Sequence, residues 1–501
     1  MRTNRSLGLL LTLGVAAGLA VGGCAKKEAP APAASTDATP VGGGKIPVTT
    51  SSPEAKAEFL QGRDQFEKLL ITDSIARFQK AVSLDPGFAL AELSLANSAP
   101  TGAEFFEHLS KAVSLADKAS NGEKLLILAT QAGANNDATK QRELLDELVA
   151  AYPNDERAHF NLAGWYFGQQ DYPKAIEHYK KATELAPTYS SAYNLMGYAY
   201  RQNVDYANAE KAFQKYVELI PKDPNPYDSY AELLLKMGRF DDSITQYRKA
   251  LEIDPNFVNA YQGIAMDLLY SGKSDQATAE LENIAKKART DGERRTGLFA
   301  RTVVHIDGGQ WAKALADVNE QYALGEKTND VPAMAFDQGL KGNILLEMGK
   351  PGEAKAAFES GVKLVEGSNL SQEIKDNAKL VLHYNLARVA LAKKDFAGAK
   401  KEADEFRTGA SVSKNPLQQK QAHELDGLVA LAEKNYDKAI AELQQANPQN
   451  PQNPYRLCQA YQGKGEAEKA KESCKQAADF NSLPNQNYAF VRSKAKAVAK
   501  G

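Results

Sequence analysis

A chain of 501 residues with 43% hydrophobic and 25% charged side chains has enough apolar material to bury, which excludes a wholly disordered or fibrous class. Its 61 basic and 63 acidic residues leave a net charge of -2, without the basic excess that binding to phosphates demands, so no nucleic-acid partner is expected. Three cysteines, Cys24, Cys458 and Cys474, are too few and too scattered for a zinc framework or a disulfide-dense scaffold.

The chain opens with Arg2 and Arg5, then an apolar run from Leu7 to Val21, then Val21-Gly22-Gly23-Cys24. The run is short for a bilayer crossing, which takes about 20 residues. A charged start, a short apolar core and small residues before a cut site read as a secretory signal. Val-Gly-Gly-Cys resembles the lipobox of bacterial lipoproteins, whose cysteine is diacylated and becomes the new N-terminus. The resemblance implies a signal peptide over 1–24, lipidation of Cys24 and attachment to a membrane through that lipid. Ala25 stands where an Asp would favour inner-membrane retention, which implies an outer-membrane location facing the periplasm. Residues 25–53 are mostly Ala, Pro, Ser, Thr and Gly. They carry too little apolar surface to offset the cost of ordering, and read as a disordered tether.

Beyond the tether the sequence repeats. Four stretches starting at Glu156, Ser190, Pro224 and Val258 align at a spacing of 34 residues. Position 8 is small (Ala163, Gly197, Ala231, Ala265), position 20 is Ala175, Ala209, Ser243 and Ala277, and position 24 is Tyr179, Phe213, Tyr247 and Leu281. Position 32 is Pro187, Pro221 and Pro255, with Arg289 in the fourth unit. Two helices packed antiparallel need small residues where their axes come closest, and a proline cannot continue a helix, so it separates one hairpin from the next. Gly238, Gly272, Gly309, Gly349 and Gly465 fall at position 15, where a helix C-terminal cap is wanted. This pattern resembles the tetratricopeptide repeat.

Drifting units near Ala55, Ala89 and Gly122 precede the regular block, and units near Arg295, Ala335, Leu380, Lys420 and Pro451 follow it. No period-2 pattern competes. The resemblance implies an all-α, right-handed superhelical solenoid of about 12 helical hairpins. The drift divides it into an N-terminal array over 54–291 and a more irregular C-terminal array over 292–484. Wider spacing between Gly325 and Lys420 implies longer helices or loops there. Residues 485–501 read as a terminal capping helix and tail.

Cys458 and Cys474 take positions 8 and 24 of the last unit, which face each other across a hairpin. Outside the cytoplasm such a pair forms a disulfide. The alternative is two buried thiols filling small core positions.

No catalytic or cofactor motif stands out. Gly272-Lys273-Ser274 ends like a phosphate-binding loop, but Asp267 occupies the place of its first glycine. His108, His159, His178, His305, His383 and His423 form no metal-ligand spacing. The chain is therefore expected to be no enzyme and to need no cofactor or metal. In tetratricopeptide arrays the first helices line a concave face through positions 2, 5, 9 and 12–13. The resemblance places Arg157, Phe160, Phe167, Asn194, Tyr198, Arg201, Gln202, Asp228, Gln262, Met266 and Tyr270 on that face. Aromatic, amide and Arg side chains of this kind suit a protein or peptide partner. The expected function is a membrane-anchored scaffold for protein–protein interaction in the bacterial envelope, serving secretion, pilus, polysaccharide-export or outer-membrane assembly. A periplasmic ligand- or polysaccharide-binding lipoprotein is the alternative, and an enzyme on helical repeats a third reading. Partner identity and oligomeric state do not follow from the sequence.

Overall fold

The computed structural model describes residues 44–500, apart from a few positions near 100, 136 and 414. The leader, Cys24 and most of the tether lie outside the described residues. What is described is helical, with no strand, and consists of 25 α-helices. The first twenty-four pair into twelve hairpins. They are α1 (Pro53–Glu67) with α2 (Ile71–Leu84), α3 (Ala89–Ser98) with α4 (Gly102–Leu115), and α5 (Asn121–Ala134) with α6 (Ala138–Ala151). The regular block supplies α7 (Glu156–Gly168) with α8 (Tyr172–Leu185), α9 (Ser190–Gln202) with α10 (Tyr206–Leu219), α11 (Pro224–Lys236) with α12 (Phe240–Ile253), and α13 (Val258–Tyr270) with α14 (Ser274–Lys287). Then come α15 (Asp291–Asp307) with α16 (Trp311–Thr328), α17 (Val331–Glu347) with α18 (Pro351–Glu366), and α19 (Gln372–Ala392) with α20 (Phe396–Ser413). The series ends with α21 (Pro416–Ala432) and α22 (Tyr436–Leu443), α23 (Gln452–Lys464) and α24 (Ala467–Ala478), and a final helix α25 (Gln486–Lys500) that packs on α24. The wide spacing after Gly325 is taken up by longer helices: α19 alone has 21 residues.

Local chemistry sets the hairpin ends. Asp137, Asp155, Asp171 and Asp205 each cap the following helix by accepting backbone N–H bonds through the side chain. Inside each hairpin, positions 8 and 24 meet. A Cβ on Gly197 would fall 2.8 Å from the Phe213 ring, and one on Gly342 would fall 2.3 Å from Phe358. Any larger residue there would push the two helices apart. Cys458 and Cys474 occupy the same two slots and are joined in a disulfide, with Cα atoms 5.2 Å apart. The bond closes a sequence separation of 16 residues and pins a hairpin near the chain end. Loop entropy puts its worth at roughly 3 kcal/mol. Reduction is therefore expected to lower the unfolding midpoint of α23–α24, read by hydrogen exchange, while alkylation of the unreduced chain should label neither cysteine.

Position 15 is a left-handed residue in most hairpins. The five glycines there have positive φ, and so do Leu69, Gln170, Val204, Lys394 and Lys434 at the matching places. Val204 is the costliest case: a β-branched residue at φ +62°, 69% exposed, with little packing in return. The left-handed penalty for a non-glycine residue is about 1–2 kcal/mol, partly offset by the extra chain entropy of glycine. Val204→Gly is expected to raise stability by about 0.5–1 kcal/mol, measurable as a shifted urea midpoint.

The described chain falls into two compact units, one ending at Ser229 and the other beginning at Tyr230. The change in repeat spacing at 291/292 lies within the second unit. Drift in repeat spacing changes helix length, but it leaves the packing of α14 on α15 intact across that point.

The tether also ends earlier than its composition suggests. Residues 45–51 lie extended across the first unit. The Ile46 N–H donates to Asp155 Oδ2 at 2.8 Å, Thr49 N–H to Glu123 Oε1 at 2.8 Å, and Ser51 N–H to Asp85 Oδ2 at 3.1 Å. Lys45 pairs with Glu156, and Val48 packs on the first hydrophobic cluster. Acidic side chains at successive helix ends supply the hydrogen-bond acceptors that the segment cannot find within itself.

Candidate functional site

The residues expected on the concave face are placed on first helices, and most of them are committed to contacts within the chain. In the first unit Arg157 pairs with Glu67, at 2.6 Å from Nε to Oε1, and lies over the Tyr189 ring. Burial works against the Arg157 charge, but the Glu67 carboxylate holds the guanidinium protonated. Phe160 packs between Tyr179 and Tyr189, with ring centres 5.7 and 5.0 Å away. Phe167 meets Tyr172 edge-on. Tyr198 is buried against Phe213, donates to Ser229 Oγ at 3.2 Å and carries Arg201 over its ring. Asn194 and Asp228 are buried, and Gln202 is half-buried. The end of α1 also reaches helix α9, where the Ser190 hydroxyl donates to the Glu67 carbonyl at 3.2 Å.

In the second unit Gln262 is half-buried and Met266 fully buried. Tyr270 is buried because the C-terminal part of the chain sits on it: its hydroxyl donates to the Ser482 carbonyl at 2.7 Å, and Tyr488 packs edge-on against its ring at 5.3 Å. The repeat register points Tyr270 at a partner; it faces residues 482–492 of its own chain. Sequence periodicity contains no signal for this contact, since the two strips are more than 200 residues apart. Trp311 stacks on Phe490 of α25.

The histidines act as ties between helices. His383 meets Glu402 at 2.6 Å and His423 meets Glu442 at 2.7 Å, each across one hairpin at a spacing of 19 residues. His159 at the same position meets His178 instead, with Nδ1 atoms 3.1 Å apart, while its Nε2 lies 3.0 Å from the Pro153 carbonyl. Burial and the neighbouring His159 push the His178 pKa down, so His178 is neutral near pH 7. The two Nδ1 atoms face each other in a hydrogen bond. Among the described residues no group of three or more His, Cys, Asp or Glu side chains could hold a metal, and no helix is long and apolar enough to cross a membrane.

Three buried carboxylates stand out electrostatically. Burial raises Asp267 to about 8 and Asp337 to about 6, the latter against a two-pronged Arg295 contact at 2.8 and 2.9 Å. Burial also pushes Glu424 up, but Arg456 and the Tyr384 hydroxyl outweigh it and hold the carboxylate below its ordinary range. All three lie between packed helices rather than in an open cleft, which makes them parts of the framework.

Profiles of known repeat families match parts of the chain. One described as TPR repeat matches residues 165–204 and 231–265. Others described as Tetratricopeptide repeat match 190–223, 384–454 and 430–485. No curated protein matches. Among solved structures, one described as the MamA protein is 23% identical and covers 33% of this chain and 91% of its own, with a TM-score of 0.30. MamA from Desulfovibrio magneticus RS-1 is 15% identical, with coverages of 34% and 96% and a TM-score of 0.30. A tetratricopeptide repeat protein from Parabacteroides merdae is 16% identical, with coverages of 66% and 98% and a TM-score of 0.33.

Proposed function

We propose, from the premise that this chain is a tetratricopeptide-repeat protein, that it is a protein-interaction scaffold tethered by an N-terminal lipid in a bacterial cell envelope. Repeats of this kind build scaffolds for protein–protein contacts, and such scaffolds are as a rule non-catalytic. The observation that carries the scaffold reading is the unbroken series of twelve hairpins. Stacked hairpins present equivalent side chains at regular intervals, a surface that grips extended or helical segments of another protein.

The envelope location is supported by the leader ending at Cys24 and by the Cys458–Cys474 disulfide, a bond that persists outside the reducing cytoplasm. Ala25 after the cysteine supports delivery to the outer membrane, with the array in the periplasm. The secretion, pilus, export or assembly machine it serves is to be read from its partner.

The test is fractionation of cells carrying the wild-type chain or Cys24→Ala, with fatty-acid labelling and crosslinked pull-down. The wild-type chain should take up label and sediment with membranes, and the variant should do neither. An unlabelled wild-type chain would sink the anchor. Envelopes crosslinked under varied conditions that yield no protein partner would sink the scaffold.

A further inference from the structure

The four hairpins from α11 to α18 each place one side chain two residues before the left-handed glycine that ends the first helix. These are Lys236, Tyr270, Asp307 and Glu347, preceding Gly238, Gly272, Gly309 and Gly349. They form a row along one edge of the second unit, and the chain's own C-terminal segment lies along it. Lys236 donates to the Phe480 carbonyl and sits 3.8 Å from the centre of the Phe480 ring. Tyr270 holds the Ser482 carbonyl and packs on Tyr488. Asp307 accepts two bonds from Arg492, one of them 2.6 Å from Nε, and Arg492 also covers the Tyr270 ring. Glu347 pairs with Lys494 at 2.9 Å. The order of contacts along the segment follows the order of hairpins along the row.

The chemistry of the row is specific. On helix α25, Tyr488 and Arg492 share one face and engage Tyr270 and Asp307. Phe490 and Lys494, on the opposite side of the helix, reach Trp311 and Glu347. The Arg492–Asp307 pair is nearly out of solvent, with side chains 11% and 6% exposed. An occupant lacking that cation would leave Asp307 buried and unpaired, which selects against it. Lys494–Glu347 is half exposed and discriminates weakly. These contacts span 147 to 244 residues of sequence, so neither hairpin periodicity nor chain connectivity requires them.

We propose that this row is a binding surface for an amphipathic helix bearing aromatic and basic side chains in the pattern of Tyr488, Phe490, Arg492 and Lys494. The chain's own α25 occupies it in the free protein, and a partner helix of that chemistry displaces it. The proposal rests on the scaffold reading and names its partner class and its regulation. A tethered helix competes at an effective concentration in the millimolar range, so the surface opens only to a partner that binds well or after the latch is weakened.

The test uses the full chain and a fluorescent synthetic peptide of residues 485–500. The wild-type chain should bind the peptide at least tenfold more weakly than a variant with Arg492→Glu and Lys494→Glu, whose own helix is repelled from the row. Adding Asp307→Arg to that variant should abolish the gain. Lys494→Glu alone alters a half-exposed side chain and leaves the fold secure; it should give a smaller gain in the same direction. Equal peptide affinity for wild-type and opened chains, or a gain that survives Asp307→Arg, overturns the proposal. If the opened chain ignores the peptide while crosslinked envelopes still yield a partner, the surface falls and the scaffold stands. Peptide binding to the opened chain, with no envelope partner for either chain, upholds the surface and overturns the scaffold.

Discussion

Replacing Glu424 by alanine is expected to cost the second unit about 3–5 kcal/mol, because it strands a buried arginine. Glu424 is 1% exposed and Arg456 8% exposed. The carboxylate accepts from Tyr384 Oη at 2.6 Å, Asn450 Nδ2 at 3.1 Å, Asn453 Nδ2 at 3.2 Å and the Arg456 guanidinium. Arg456 also donates to Asn453 Oδ1 and Gln452 Oε1, each at 2.7 Å. This cluster ties α19, α21 and α23 together, helices of three successive hairpins. Removing the acid leaves the guanidinium with amide acceptors alone, in a place that water reaches poorly. Exchanging both partners for apolar residues of similar volume, Glu424→Leu with Arg456→Met, should cost far less, since no orphaned charge remains. Denaturant midpoints for the single and double variants, with hydrogen exchange of α21 and α23, decide the matter. A single variant within about 1 kcal/mol of wild type would show that the cluster is dispensable.

Asp267 carries the second large effect, and with the opposite sign. Its side chain in α13 is wholly buried, and burial raises it to about 8. Ser243, its polar neighbour, donates its hydroxyl hydrogen to the Ala231 carbonyl at 2.9 Å. Ser243 works against the rise of Asp267, but burial outweighs it. Unfolded, the group titrates near an ordinary aspartate value of about 4. The folded state thus holds a proton that the unfolded state releases. The favourable contribution is fully present below about pH 4 and drains away as the pH rises to about 8. A rise from about 4 to about 8 is equivalent to roughly 5 kcal/mol across that window, as an upper bound before the helices relax or admit water. Asp267→Asn keeps the shape and does not titrate. It is expected to stabilise the second unit by several kcal/mol at pH 8, by little at pH 4, and to flatten the stability profile between. A profile that keeps its slope in the variant would place the titrating group elsewhere.

Both effects show how the sequence relates to the structure. Glu424 falls at position 5 of its hairpin and Arg456 at position 6 of another, and nothing in their local pattern distinguishes them from solvated helix-surface charges. Asp267 stands out in the sequence only as the residue that spoils a phosphate-loop motif. Their importance comes from what the neighbouring hairpins press against them.

What the sequence determined by itself is whatever recurs within one hairpin. The small residues at positions 8 and 20, the aromatic at 24, the proline at 32 and the glycine at 15 act over a few tens of residues. They fix helix ends, the closest approach of each pair and the meeting of Cys458 with Cys474. The twelve hairpins, and the longer helices after Gly325, follow from that spacing. The tertiary structure alone decided which of the exposed-looking positions would find a partner within the chain. The strap of residues 45–51 over Asp85, Glu123 and Asp155, the seat of Glu67 on Arg157, and the C-terminal segment on Lys236, Tyr270, Asp307 and Glu347 all join residues tens to hundreds apart. Periodicity says which side of a helix faces its hairpin mate. It says nothing about where small rotations, summed from one hairpin to the next, bring distant segments together, as they bring residues 482–492 onto Tyr270.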